Sequence, residues 1–157
     1  LVICEGEMNA ASIWQVAHTT NLDVLSVGSE STTITDKMIE YAAQYRVRIV
    51  WMDKQEVAQR VGARFTALAV RSPTIGEREY DANALLMAGN LGGFLTMLRA
   101  RACATNEEKM RLYFDLVEGA LAGGLDPATA GVAVQIAERI GVATTLAPCE
   151  DGLWRAG

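Results

Sequence analysis

Positive charge is the scarcer sign in this chain. Fourteen Lys and Arg stand against nineteen Asp and Glu, for a formal net charge of −5. A domain that grips nucleic acid by itself usually carries a basic footprint, so the balance weighs against strong autonomous binding to DNA or RNA. It does not exclude a catalytic module whose acids hold metal while other domains hold the strand. Histidine is nearly absent: His18 is the only one, so no imidazole ligand set exists. We read it as a surface residue at a helix C-terminus, where the dipole favours it. Cysteine is sparse, with three residues in no metal spacing, which predicts a reduced, cytoplasmic setting without a disulfide framework. Cys4, inside an apolar run, reads as core filler. No apolar run approaches the roughly 20 residues that span a bilayer, so no membrane partner is expected. There is no signal-peptide pattern, no internal repeat and no low-complexity tract. Leu1 opens directly in what reads as a central strand, and the chain is therefore expected to be a piece of something longer or cut at a domain edge.

What is present is an apolar half, enough for a globular core. Leu1 to Cys4 is a continuous apolar run ended by Glu5-Gly6, the pattern of a strand buried on both faces. Ala10, Ile13, Trp14 and Ala17 follow at helical spacing. Asp23 to Val27 reads as a second strand, and Gly28-Ser-Glu-Ser-Thr-Thr33 as a loop rich in cap-forming residues. Met38, Tyr41, Ala42 and Tyr45 make a second helical stripe. Val47 to Met52 is a third strand, ended by Asp53. Lys54 to Phe65 reads as a helix with Val57, Ala58, Val61 and Phe65 on one side. Ala67 to Val70 is a fourth strand, and Ser72-Pro-Thr-Ile-Gly76 a loop that breaks the pattern. Alternation of strand and helix at this spacing predicts βαβ units and a parallel four-stranded sheet.

Beyond Asp81 the strands stop. Leu91, Phe94, Leu95 and Leu98 form one helical stripe; Met110, Tyr113, Phe114, Val117 and Leu121 form another. The second is entered through Thr105-Asn-Glu-Glu108, a capping-box pattern, and closed by Gly123-Gly124. Asp126-Pro127 starts a further helix, with Ala133, Ile136, Ala137 and Ile140 as its stripe and Gly141 as its stop. A short strand is expected near Leu153-Trp154-Arg155. These residues form a helical appendix, 102–157, to an α/β domain, 1–101.

Acids recur where strands end. Glu5-Gly6-Glu7-Met8-Asn9 follows the first strand, Ser26-Val27-Gly28 the second, and Asp53-Lys54-Gln55 the third. Asp81-Ala82-Asn83-Ala84-Leu85-Leu86 then opens a helix. In this order the four segments resemble the Toprim domain of bacterial and phage DNA primases, a Rossmann-like fold, over roughly residues 1 to 100. The resemblance implies Mg²⁺- or Mn²⁺-dependent nucleotidyl or phosphoryl transfer on nucleic acid. It implies that Glu5 handles the proton of the 3′-hydroxyl, and that Asp53, Gln55 and Asp81 are the metal positions. Nucleotides, and DNA or RNA held through neighbouring domains, would be the partners, with a zinc-binding or helicase domain in the full-length protein. Gln55 stands where the family has its second Asp. An amide oxygen brings no charge, so weak metal binding is expected. Arg60 and Arg64 share a helix face; with Lys54 they are candidates for nucleic-acid or phosphate contact, set against a plain solvated basic face. Three readings stay open: a weakened primase-type or nuclease catalytic domain, a Toprim-derived binding module without catalysis, and an unrelated doubly wound domain.

Overall fold

The computed structural model describes residues 1–17, 21–29 and 31–157. His18 and Glu30 lie outside the described residues. The chain falls into two compact units, residues 1–17 with 22–91, and residues 92–157.

The first unit is α/β. Its strands are β1 (Val2–Cys4), β2 (Val24–Ser26), β3 (Ile49–Met52) and β4 (Leu68–Arg71), interleaved with α1 (Glu7–Ala17), α2 (Asp36–Ala43) and α3 (Gln55–Phe65). All pairings are parallel and the strand order is β2-β1-β3-β4. Cys4 faces Ser26 on one side and Trp51 on the other. Every residue of β1 and β3 is buried, whereas the edge strand β2 is half-buried. This is why β1 and β3 read as uninterrupted apolar runs, while β2 ends in Ser26. Leu1, Ile3, Val50 and Met52 pack with Ala42 of α2 and Val57, Ala58, Val61 and Phe65 of α3. By strand alternation, Val2, Cys4, Ile49 and Trp51 turn to the opposite face. There α1 packs on β2 and against α4 (Ala82–Met87). Burial pushes the Cys4 thiol up to about 12, so it stays protonated and is no nucleophile.

Gly62 sets how closely α3 lies on β4. A Cβ there would stand 2.9 Å from that of Ala69, so glycine is the residue that permits the approach.

The second unit holds α5 (Leu91–Ala102), α6 (Asn106–Ala122), α7 (Pro127–Ile140) and an antiparallel hairpin of β7 (Leu146–Pro148) and β8 (Trp154–Ala156). The boundaries follow the chemistry of their ends. Thr105 and Glu108 form the reciprocal capping box of α6, Asp126 caps α7 with Pro127 in its first turn, and Gly141 ends α7 at φ 73°. α6 packs on α7 and carries β8.

Several expectations need correction. Ser72–Gly76 is not plain loop: β5 (Thr74–Ile75) and β6 (Arg78–Glu79) pair as a short antiparallel hairpin turning at Gly76. β7 was not expected either. Trp14 is 60% exposed; α1 buries Ile13 and Ala17, as the spacing predicts, together with Ser12. On α6 the buried face is Leu112, Tyr113, Leu116 and Ala120, while Phe114 and Leu121 are exposed. In both helices an exposed apolar residue adjoins the buried stripe; helical spacing alone does not say which of two overlapping stripes meets the core.

Candidate functional site

The connection from β1 runs outward to β2, and the next returns past β1 to β3 and on to β4. Connections therefore diverge in opposite directions after β1 and after β3, which opens a crevice at the carboxyl edge between those strands. In open α/β sheets that switch point is where ligands bind. Glu5-Gly6 follows β1 and Asp53-Lys54 follows β3. With Cys4 opposite Trp51, Glu5 is level with Met52, and Asp53 is one residue further on. Adjacent strands lie about 4.8 Å apart, so the two acidic segments leave the sheet as neighbours. Gly6 has φ 75° and its N–H donates to the Gly28 carbonyl at 2.7 Å. That bond ties the turn after β1 to the Ser26-Val27-Gly28 turn after β2.

Asn9 and Asn83 join the first and last of the four segments. The Asn9 amide donates to the Glu5 carbonyl at 3.3 Å, and its Oδ1 accepts from the Asn83 N–H at 3.4 Å. The buried Ser12 hydroxyl donates to the Met8 carbonyl at 2.9 Å and lies 3.3 Å from Asn83 Oδ1. The start of α1 is thus stitched to the start of α4 by two amide side chains.

Asp53 is exposed, yet one of its oxygens is held. Ser72 Oγ donates to Asp53 Oδ1 at 2.9 Å and accepts from Trp51 Nε1 at 3.0 Å. Ser72 is 2% exposed, and its N–H donates to the Met52 carbonyl, so this relay is fixed by the sheet. Ser72→Ala is expected to lower stability by about 1–3 kcal/mol, the usual cost of a lost buried hydrogen bond to a charged partner. A urea midpoint shifted down at unchanged slope would show it; an unmoved midpoint would show that the relay contributes nothing.

Lys54 occupies the N-cap of α3 without a side-chain cap bond, and Gln55 is the first residue of that helix. Both are exposed. Asp81 is the N-cap of α4, its Oδ1 accepting from the Ala84 N–H at 2.8 Å. This carboxylate is committed to the helix start. Among the described residues, no three His, Cys, Asp or Glu side chains gather as a metal-binding group. Glu5 and Asp53 follow adjacent strands, and among the described residues Asp81 does not join them in a three-acid cluster. Arg60 and Arg64 lie along α3 and line a hollow with the loop after β2.

No family model matches the chain, and neither a curated protein nor a solved structure matches it. No helix among the described residues is long and apolar enough to cross a membrane.

Sequence reasoning missed Ser72, because its loop carried no acid. It also assigned no pairing to Asn9 and Asn83. The only signal for their pairing is that both sit four residues or fewer after a chain turn at a helix start, which many asparagines do.

Proposed function

We propose that the sheet unit is a Toprim-like catalytic domain of the primase type. It would carry out nucleotidyl or phosphoryl transfer on nucleic acid, dependent on Mg²⁺ or Mn²⁺ and weakened relative to a full acidic site. The observation that supports this reading is the exit of Glu5 and Asp53 from adjacent parallel strands at the switch-point crevice. One carboxylate and an amide oxygen, with water and substrate oxygens, are a sufficient though weak set for Mg²⁺. Asp53 keeps one oxygen beyond its Ser72 bond, and the Gln55 amide stands two residues on, at the head of α3. Glu5 takes the proton of the attacking hydroxyl. Asp53 and Gln55 would hold the ion. When bound, the ion offsets charge on the phosphoryl oxygens. With a net charge of −5, the nucleic acid would be held through neighbouring domains, and nucleotides would enter the crevice.

A second reading, a Toprim-derived module without catalysis, is favoured by one observation: the third acid, Asp81, is used as a helix cap. A polymerisation and cleavage assay separates the readings. With Mn²⁺, a single-stranded template, nucleotides and a labelled strand, slow product is expected, whether extension or, for a nuclease, cleavage. Glu5→Gln should lower it by about 10²-fold or more, the usual size of a proton-transfer contribution. No metal-dependent product, or product indifferent to Glu5→Gln, sinks the catalytic reading.

A further inference from the structure

We propose a second ligand site, separate from the acidic crevice, for a small phosphate monoester with an apolar body. It lies on the α2/α3 face of the sheet, between the loop that follows β2 and the outer side of α3.

The hollow there measures about 300 Å³, at the lower end of the range for small-molecule sites. Its floor is apolar: Val27 and Met52 come from strand ends, and Val61 from α3. Its rim is polar. Ser31, Thr32 and Thr33 supply hydroxyls on one side, and Arg60 and Arg64 supply guanidinium groups on the other. Gly28 turns at φ 86°, the Ser29 N–H donates to Thr32 Oγ1 at 3.0 Å, and the Thr32 N–H donates to the Ser29 carbonyl at 3.0 Å. A more open hollow of about 510 Å³ shares Ser31, Val57 and Arg60 and reaches Lys54 and Glu56.

This division of chemistry selects the ligand. Arg60 and Arg64 are one helical turn apart, so both reach one multi-oxygen anion. Hydroxyl donors opposite them complete a cradle for phosphate. An inorganic ion would leave the apolar floor empty, whereas a ring or chain attached to the phosphate would cover it. A nucleic-acid duplex is the wrong shape for so small a hollow, and the net charge of −5 opposes it.

The test uses phenyl phosphate as probe in excess EDTA, with phenol and inorganic phosphate as the two halves of the ligand. Saturable calorimetric binding of phenyl phosphate, tighter than that of either half, is expected. Arg64→Ala should weaken it by about tenfold or more, the effect of losing one charge-assisted hydrogen bond. Arg60→Ala should act alike. Both arginines are solvent-exposed, so the variants are expected to melt like the wild type. Adenosine monophosphate serves as competitor: displacement stronger than phenyl phosphate's own assigns a nucleotide source, and weaker displacement a non-nucleotide ester. Asp53→Asn should leave the binding unchanged, which separates failure here from failure of the proposed catalysis. Absence of saturable binding, indifference to both arginine variants, or inorganic phosphate binding as tightly as the ester would each overturn the proposal.

Discussion

Gly93→Ala is expected to destabilise the helical unit, and Gly131→Ala to stabilise it, although both replace glycine by the best helix former. In an open helix interior the exchange favours alanine by up to about 1 kcal/mol. Gly131 sits within α7 with nothing inside 4 Å of the added methyl, so that gain should appear undiminished. Gly93 lies in α5 against the start of α7. A Cβ there would stand 2.7 Å from the Ala128 Cβ, 3.3 Å from the Ala128 carbonyl carbon and 3.4 Å from the Thr129 nitrogen. Two of these are backbone atoms, which have no rotamer to escape into. Overpacking of this kind costs about 1–3 kcal/mol and outweighs the propensity gain. For a unit of this size each kcal/mol moves the melting temperature by roughly 4–8 °C. Thermal melts should therefore shift in opposite directions for the two variants. A rise with Gly93→Ala would mean that α5 and α7 do not approach as described.

Much of the fold was legible because its signals are local. The β1 and β3 runs are apolar throughout since both their faces are covered, and the ends of α6 and α7 are written in Thr105, Glu108, Asp126, Pro127 and Gly141. The β5–β6 hairpin was hidden because its strands are two residues each and wholly exposed, which leaves no periodicity to read. Which side of α1 meets the sheet was hidden too, since Trp14 is as apolar as the core yet stays out of it. At the candidate site, the sequence indicated which acids follow strands. It did not indicate that Asp81 would spend a carboxylate oxygen on its own helix, nor that a buried serine nineteen residues along would hold Asp53. The Ser72 bond is a tertiary fact of partner choice, whereas the Asp81 cap on the Ala84 N–H, three residues on, is a local signal of the same kind as Asp126.

The second large effect concerns metal. Asp53→Asn should abolish what binding of Mg²⁺ or Mn²⁺ the crevice has, because it removes the one carboxylate of the proposed Asp53–Gln55 ligand pair and leaves two neutral amides. Gln55→Asp should tighten it by about tenfold or more. Even at an effective dielectric of about 20, a further carboxylate within a few ångströms of a dication contributes several kcal/mol before its desolvation is charged against it. The position makes this substitution clean. Gln55 is exposed and is the first residue of α3, where an aspartate is favoured by the helix dipole. The variant should fold at least as well as the wild type, and its metal affinity then reports on site geometry alone.

Titration calorimetry with MgCl₂ on the wild type, Asp53→Asn and Gln55→Asp tests the acidic crevice most directly. Weak saturable binding by the wild type, none by Asp53→Asn and clearly tighter binding by Gln55→Asp is the predicted order. Tight wild-type binding that survives Asp53→Asn would place the metal elsewhere, and weak binding that Gln55→Asp leaves unimproved would contradict a Toprim-like site at the ends of β1 and β3.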